Sequence, residues 1–247
     1  MIDFEKFYQD GYVSFSIEEF FENEEDKKIF EEAANRICEI PPTDDHWHYT
    51  MSVEGTFGDP TWPMLVMGNE REFQLKRAEQ EGFRVTQRWH TLPNYQSYTK
   101  EINKLISKNI RRFYPEINED MSNLIFSDSV TLYKNGDHIE CHRDGNNVGR
   151  ICAILVYLSL KDDYKDGGGH LTISGNIQGE ENNVISVEPV RGNVAIMDFN
   201  RHDPFHTVEE VKNGFLRYAY LAFLWDYSNL PLEQKLKWTH KRFSVNG

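Results

Sequence analysis

The sequence predicts a mainly β fold with flanking helices, its core a β-sandwich or jelly roll, and two observations carry that reading. From Ile125 onward the chain is a series of short apolar runs, separated by the turn signals Asn135-Gly136, Gly167-Gly168-Gly169 and Arg191-Gly192-Asn193. Before residue 120 the apolar residues instead recur at helical spacing in two places. Expected strands are 125–133, 151–160, 170–174, 184–187, 193–199 and 215–225.

Taken in chain order, Phe30, Ala33, Ala34 and Ile37 form one stripe and predict a helix within the acidic stretch 24–39. A second stripe, Ile102, Leu105, Ile106, Ile110 and Phe113, predicts a longer helix that stops before Pro115. Residues 46–93 are rich in Trp, Pro and Gly and read as irregular loop. There His46, Trp47, His48, Trp62, Trp89 and His90 are candidates either for a substrate wall or for ordinary packing of the helical layer. Length is compatible with one domain spanning 1–247. It divides into a helical and loop part (1–124), a jelly-roll core (125–226) and a tail (227–247) whose basic stretch at 235–242 reads as solvated.

A net charge of −13 with a pI near 5.2 argues against a protein that grips nucleic acid by neutralising phosphates. Cys38, Cys141 and Cys152 form no CxxC pattern, so neither a disulfide framework nor a zinc ribbon is expected. Cys141 adjoins His142 but should point away from it, into packing, because strand neighbours face opposite ways. The opening residues are acidic and lack a signal-peptide apolar core, and no run approaches the roughly 20 apolar residues of a membrane span. A cytoplasmic protein without membrane or nucleic-acid partners is the expectation.

The chemistry concentrates at His142-Arg143-Asp144, followed later by His206 and Arg217. On an extended segment, residues two apart share a face, so His142 and Asp144 can supply two neighbouring ligands. With His206 from another strand they make two imidazoles and a carboxylate, the set that non-haem Fe(II) oxygenases use while leaving coordination positions open. Arg217 stands among Phe215, Leu216, Tyr218, Ala219, Tyr220 and Leu221, and an arginine buried there needs an anionic partner. A diacid cosubstrate is a natural one. His202 is a rival third ligand, His138 shares the parity of His142, and His170 follows the glycines. Arg143, Asn146, Arg150, Arg201 and His202 read either as solvated loop charge or as contacts to a polar substrate.

Val130-Thr131-Leu132-Tyr133, Asn135-Gly136, His142-Arg143-Asp144, Tyr157-Leu158-Ser159-Leu160, the Gly167 to Leu171 run, Val187-Glu188-Pro189, Gly192-Asn193, His206-Thr207-Val208 and Arg217-Tyr218 occur in an order with a known counterpart. Over about residues 125–226 the chain resembles the Fe(II)/2-oxoglutarate-dependent dioxygenases of the prolyl-4-hydroxylase-like branch. The resemblance implies a double-stranded β-helix, with His142, Asp144 and His206 as iron ligands and Arg217 binding the distal carboxylate of 2-oxoglutarate. It implies further that Tyr157 helps hold that carboxylate and that Tyr133 walls the cosubstrate. The interval from His206 to Arg217 is slightly longer than the family's, with Lys212-Asn213-Gly214 forming an extended turn.

The activity so implied is hydroxylation of a C–H bond with Fe(II), 2-oxoglutarate and O2, giving succinate and CO2, with ascorbate as a possible stimulant. Asp144 stands where related halogenases have a small residue that leaves room for chloride, which favours hydroxylation or another oxidation over halogenation. Phe223 stands where nucleic-acid demethylases carry a second arginine, which argues against that activity. The opening segment Phe7 to Val13 looks like the start of small-molecule oxygenases, so an amino acid or a biosynthetic intermediate is the expected substrate. A peptidyl-prolyl hydroxylase acting on a protein and a non-catalytic jelly-roll binding protein are the alternatives.

Overall fold

The computed structural model describes residues 1–53, 64–66, 80, 85–115, 124–144, 149–174 and 184–226. Helix α1 (Phe4–Asp10) opens the chain, and α2 (Glu24–Cys38) and α3 (Gln96–Asn109) form where the two apolar stripes predict helices. The Asn23 side chain caps α2 by accepting from the Asp26 amide at 3.0 Å, and Glu24, Glu25 and Asp26 lie in the first turn, where the helix dipole favours negative charge. Helix α3 tightens into a 3₁₀ turn over Ile110–Arg112 before Pro115. The hydroxyl of Thr99 on α3 donates to Asp128 at 2.8 Å.

Twelve strands pair antiparallel among the described residues: β1 (Tyr12–Ser16), β2 (His48–Val53), β3 (Met64–Val66), β4 (Val85–Thr91), β5 (Leu124–Tyr133), β6 (His138–His142), β7 (Arg150–Tyr157), β8 (Leu171–Ser174), β9 (Ile185–Val187), β10 (Asn193–Asp198), β11 (Phe205–Val208) and β12 (Arg217–Asp226). Their order is β1-β10-β7-β12-β5-β4-β6-β11-β8-β9, with β2 and β3 branching from β4. Strand β4 pairs with β5 through His90 and Thr91 and with β6 through Gln87 and Arg88, and so joins a larger sheet to a smaller one.

Alternation along the strands sorts the side chains into two cores. Val130, Leu132, Ile154, Val156, Val194, Ile196, Tyr220 and Ala222 face the helices and pack with Phe7, Phe30, Ile102 and Phe113. Their sequence neighbours Tyr133, Ala153, Leu155, Tyr157, Ala195, Met197 and Ala219 face the other way, against Leu171, Ile173, Val187 and Val208 of the smaller sheet. A mainly β jelly-roll core with helices on one outer face results.

The N-terminal part departs from a helix-and-loop reading, because β1 to β4 all fall before residue 124. Strand β4, Val-Thr-Gln-Arg-Trp-His-Thr, has little apolar patterning, and its pairing with β2, β5 and β6 makes it a strand. The tail 227–247, Trp62 and Asn146 lie outside the described residues.

Candidate metal centre

Strand β11 runs antiparallel to β6 with His206 opposite His142, while Val208 pairs with Ile139. Two residues on β11 thus span three on β6, which marks a β-bulge between Ile139 and His142. Without it Ile139 and His142 would face opposite sides; with it Ile139 packs on the barrel interior and His142 faces His206. The same bulge separates His138 from the His142 face, and His138 instead donates from Nδ1 to the Gly136 carbonyl at 3.1 Å.

Asp144 lies just beyond the end of β6, yet one donor atom from each of His142, Asp144 and His206 falls within 4.8 Å of the others. Oδ1 of Asp144 is 3.7 Å from His142 Nε2, and Oδ2 is 3.9 Å from His206 Nε2. The other ring nitrogen of each histidine meets a carbonyl, Glu140 at 2.8 Å for His142 and Pro204 at 3.3 Å for His206. A carbonyl only accepts, so Nδ1 carries the proton and the Nε2 lone pairs are left for a metal. Burial, and then neighbouring His142, push the pKa of His206 down to about 4, which keeps its imidazole in the neutral, ligating form. Two imidazoles and a carboxylate suit Fe(II).

Arg217 begins β12 and is 1% exposed. Its Nε donates to the Gly169 carbonyl at 2.7 Å and its Nη2 to the Tyr157 hydroxyl at 3.1 Å, while its guanidinium lies 4.4 Å from the Tyr133 ring centre. Among the described residues no carboxylate pairs with it. A buried guanidinium in that state fits the distal carboxylate of 2-oxoglutarate. Burial raises the Tyr133 and Tyr157 hydroxyl pKa values, so both remain protonated donors. The longer interval before Arg217 is absorbed by a turn in which Asn213 and Gly214 have positive φ and the Phe215 amide donates to Lys212 O.

The remaining candidates separate. His202 is exposed, with Nε2 donating to Tyr8 O at 3.1 Å, and His170 lies 3.2 Å from Glu209; neither joins the group of three. Trp47 is buried against Tyr218 in the helical core, His46 is exposed, and buried His90 lies 3.1 Å from Asp137, so these three belong to packing or solvent. Trp89 alone of the described aromatic candidates packs on the barrel interior, and His48 is half-buried on β2. Cys141 does point away from His142 but is exposed instead of packed, because the helices cover the larger sheet and leave the outer face of β6 open. Arg143 pairs with Asp203 at 3.6 Å and Arg201 with Asp198. Arg150 is not loop charge: it is largely buried and lies 3.1 Å from Asp144, a role its sequence position did not signal.

Residues 129–225 match the family model described as the 2OG-Fe(II) oxygenase superfamily. No curated protein sequence matches the chain. Among solved structures, the chain is similar to a prolyl hydroxylase from Trichoplax adhaerens in complex with a hypoxia-inducible factor oxygen degradation domain peptide, at 16% identity and a TM-score of 0.53, covering 91% of this chain and 88% of that one. It is similar to a 2OG-Fe(II) oxygenase family oxidoreductase from Burkholderia pseudomallei at 14% identity and a TM-score of 0.52, with coverage of 92% and 91%. A non-heme alpha-ketoglutarate-dependent epimerase of nogalamycin biosynthesis matches at 12% identity and a TM-score of 0.51, with coverage of 90% and 79%. At these identities the three structures establish the shared fold. The sequence match across the barrel, together with a His-Asp-His group suited to iron, makes residues 129–225 a 2OG-Fe(II) oxygenase domain and the protein an enzyme of that class, dependent on Fe(II), 2-oxoglutarate and O2.

Proposed function

We propose that the protein hydroxylates a C–H bond of a small molecule, an amino acid or a biosynthetic intermediate, with succinate and CO2 as coproducts. In this reading His142, Asp144 and His206 hold the iron, and Arg217, Tyr157 and Tyr133 hold 2-oxoglutarate. The observation that carries the reading is Arg217, a buried cation without a carboxylate partner among the described residues, on the same barrel interior as the three ligands. Bound together, Fe(II), 2-oxoglutarate and O2 supply the oxidising chemistry. The chain's own work is orientation: Tyr157 and Gly169 fix the guanidinium, and the two carbonyls fix the imidazole tautomers.

The small-molecule preference draws on the opening segment Phe7 to Val13, which looks like the start of small-molecule oxygenases. Strand β4 pairs with both β5 and β6, and Trp89 packs from it onto the barrel interior, which adds aromatic surface there for a small substrate. Structural relatives include both a peptide-bound prolyl hydroxylase and an epimerase of nogalamycin biosynthesis, so the choice depends on this chain's own residues.

The test is succinate formation from 2-oxoglutarate by anaerobically prepared protein given Fe(II), ascorbate and then air, beside an Asp144→Ala control. Turnover is expected in the wild type and at least a hundredfold less in the variant. Equal rates would refute the ligand assignment. A subsequent panel of free amino acids and proline-containing peptides is expected to show stimulation by the small molecules; stimulation by peptides alone would establish the peptidyl-prolyl reading.

A further inference from the structure

Asp144 is the weak point of the candidate metal group. His142 closes β6 and His206 lies within β11, so the sheet ladder holds both, whereas Asp144 follows the end of β6. Something other than the ladder has to fix its carboxylate. Arg150, the first residue of β7, reaches back to it: Nη1 lies 3.1 Å from Oδ2 and also donates to the Asp144 main-chain carbonyl at 3.3 Å.

The arginine is itself held. Its backbone pairs with Trp225 of β12, and its guanidinium carbon lies 4.2 Å from the Phe223 ring centre and 4.8 Å from that of Trp225. Phe199 adds a third ring at 5.9 Å. Cation–π contacts and the low polarity of this box strengthen the ion pair relative to a solvated one. Planarity matters as well, since the guanidinium can stack flat on the rings while Nη1 reaches Asp144, which an ammonium cannot do.

We infer that Arg150 is a positioning residue for the metal centre: its ion pair to Oδ2 holds the Asp144 carboxylate, which the sheet ladder does not hold, beside the ring nitrogens of His142 and His206. This rests on the ligand assignment proposed above. It also gives Phe223 a purpose, as a wall of the box that orders Arg150.

Mn(II) is the probe. Its dissociation constant is measured by titration on metal-free full-length protein for the wild type, Arg150→Met, Arg150→Lys and Asp144→Ala, and 2-oxoglutarate is then titrated onto each Mn(II)-saturated protein. Arg150→Met is expected to weaken Mn(II) about 10- to 100-fold, the usual effect of removing a partner of a metal ligand. Arg150→Lys recovers only part of that loss, and 2-oxoglutarate affinity stays within about threefold, since Arg217 and not Arg150 receives it. A merely structural role would weaken both ligands together. Folded Arg150→Met with wild-type Mn(II) affinity overturns the inference, as does parallel loss of metal and cosubstrate. Should Arg150→Met not fold, Arg150→Lys decides, and unchanged Mn(II) binding there overturns it. A wild-type protein that binds no Mn(II) would instead sink the metal centre, and the role of Arg150 with it.

Discussion

Arg217 shows how much one side chain can reveal when its burial and its partners are considered together. It lies in the barrel interior with a carbonyl, a phenol and two aromatic faces around it, yet among the described residues it has no anion. Carrying a charge into such a place costs several kcal/mol unless an opposite charge arrives. Replacing it by methionine should therefore cost 2-oxoglutarate about 2 kcal/mol or more, roughly thirtyfold in affinity, while Mn(II) binding in the absence of cosubstrate stays near the wild-type value. Titration of each ligand separately checks this, and an unaltered 2-oxoglutarate affinity would remove Arg217 from the cosubstrate site.

Two small backbone devices aim the functional side chains at the scale of elements. The bulge in β6 brings His142 round to His206 after Ile139 has filled the interior. Gly169, at φ +74°, lets the chain pass close over Arg217: a Cβ there would lie 2.9 Å from Arg217 Cδ and 2.9 Å from Val211 Cγ2. Left-handed backbone alone costs a non-glycine residue about 1–2 kcal/mol. Gly169→Ala is thus expected to lower the unfolding free energy by at least that amount and to weaken 2-oxoglutarate through a displaced Arg217. Denaturant melts and a cosubstrate titration read the two effects, and a variant that loses neither would show that the close approach is dispensable.

For the molecule as a whole, the candidate metal centre and global stability are linked through the protons of His206. His206 has a pKa near 4 in the folded protein against the ordinary 6.5, so between those values the unfolded chain binds more protons than the folded one. Stability of the metal-free protein should fall as pH drops from about 6.5 towards 4 and should not change on this account above 6.5. Denaturant midpoints measured with a chelator present check the slope, and His206→Gln should flatten it. An unchanged slope in that variant would assign the acid sensitivity to other groups.

Read from sequence alone, the chain shows its jelly-roll half, the helices α2 and α3, and the identity of the residues that converge. Each of these is written in short-range pattern: period two with turn residues between, period 3.6, and the order of motifs from Tyr133 to Arg217. Strands β2 to β4 were illegible because pairing, and not apolar content, makes Val85–Thr91 a strand. The bulge that excludes His138 from the metal face was equally hidden, since it exists only in the register between β6 and β11. Arg150 lay six positions after Asp144 in a segment that reads as solvated loop, and only the approach of β12 with Phe223 and Trp225 turns it into a buried partner of Asp144. Local sequence thus determined the apolar runs of the jelly roll, the two longer helices and the residue types that converge at the candidate site. Tertiary structure decided which way those residues point and what surrounds them, because facing and burial depend on strands far apart in the chain.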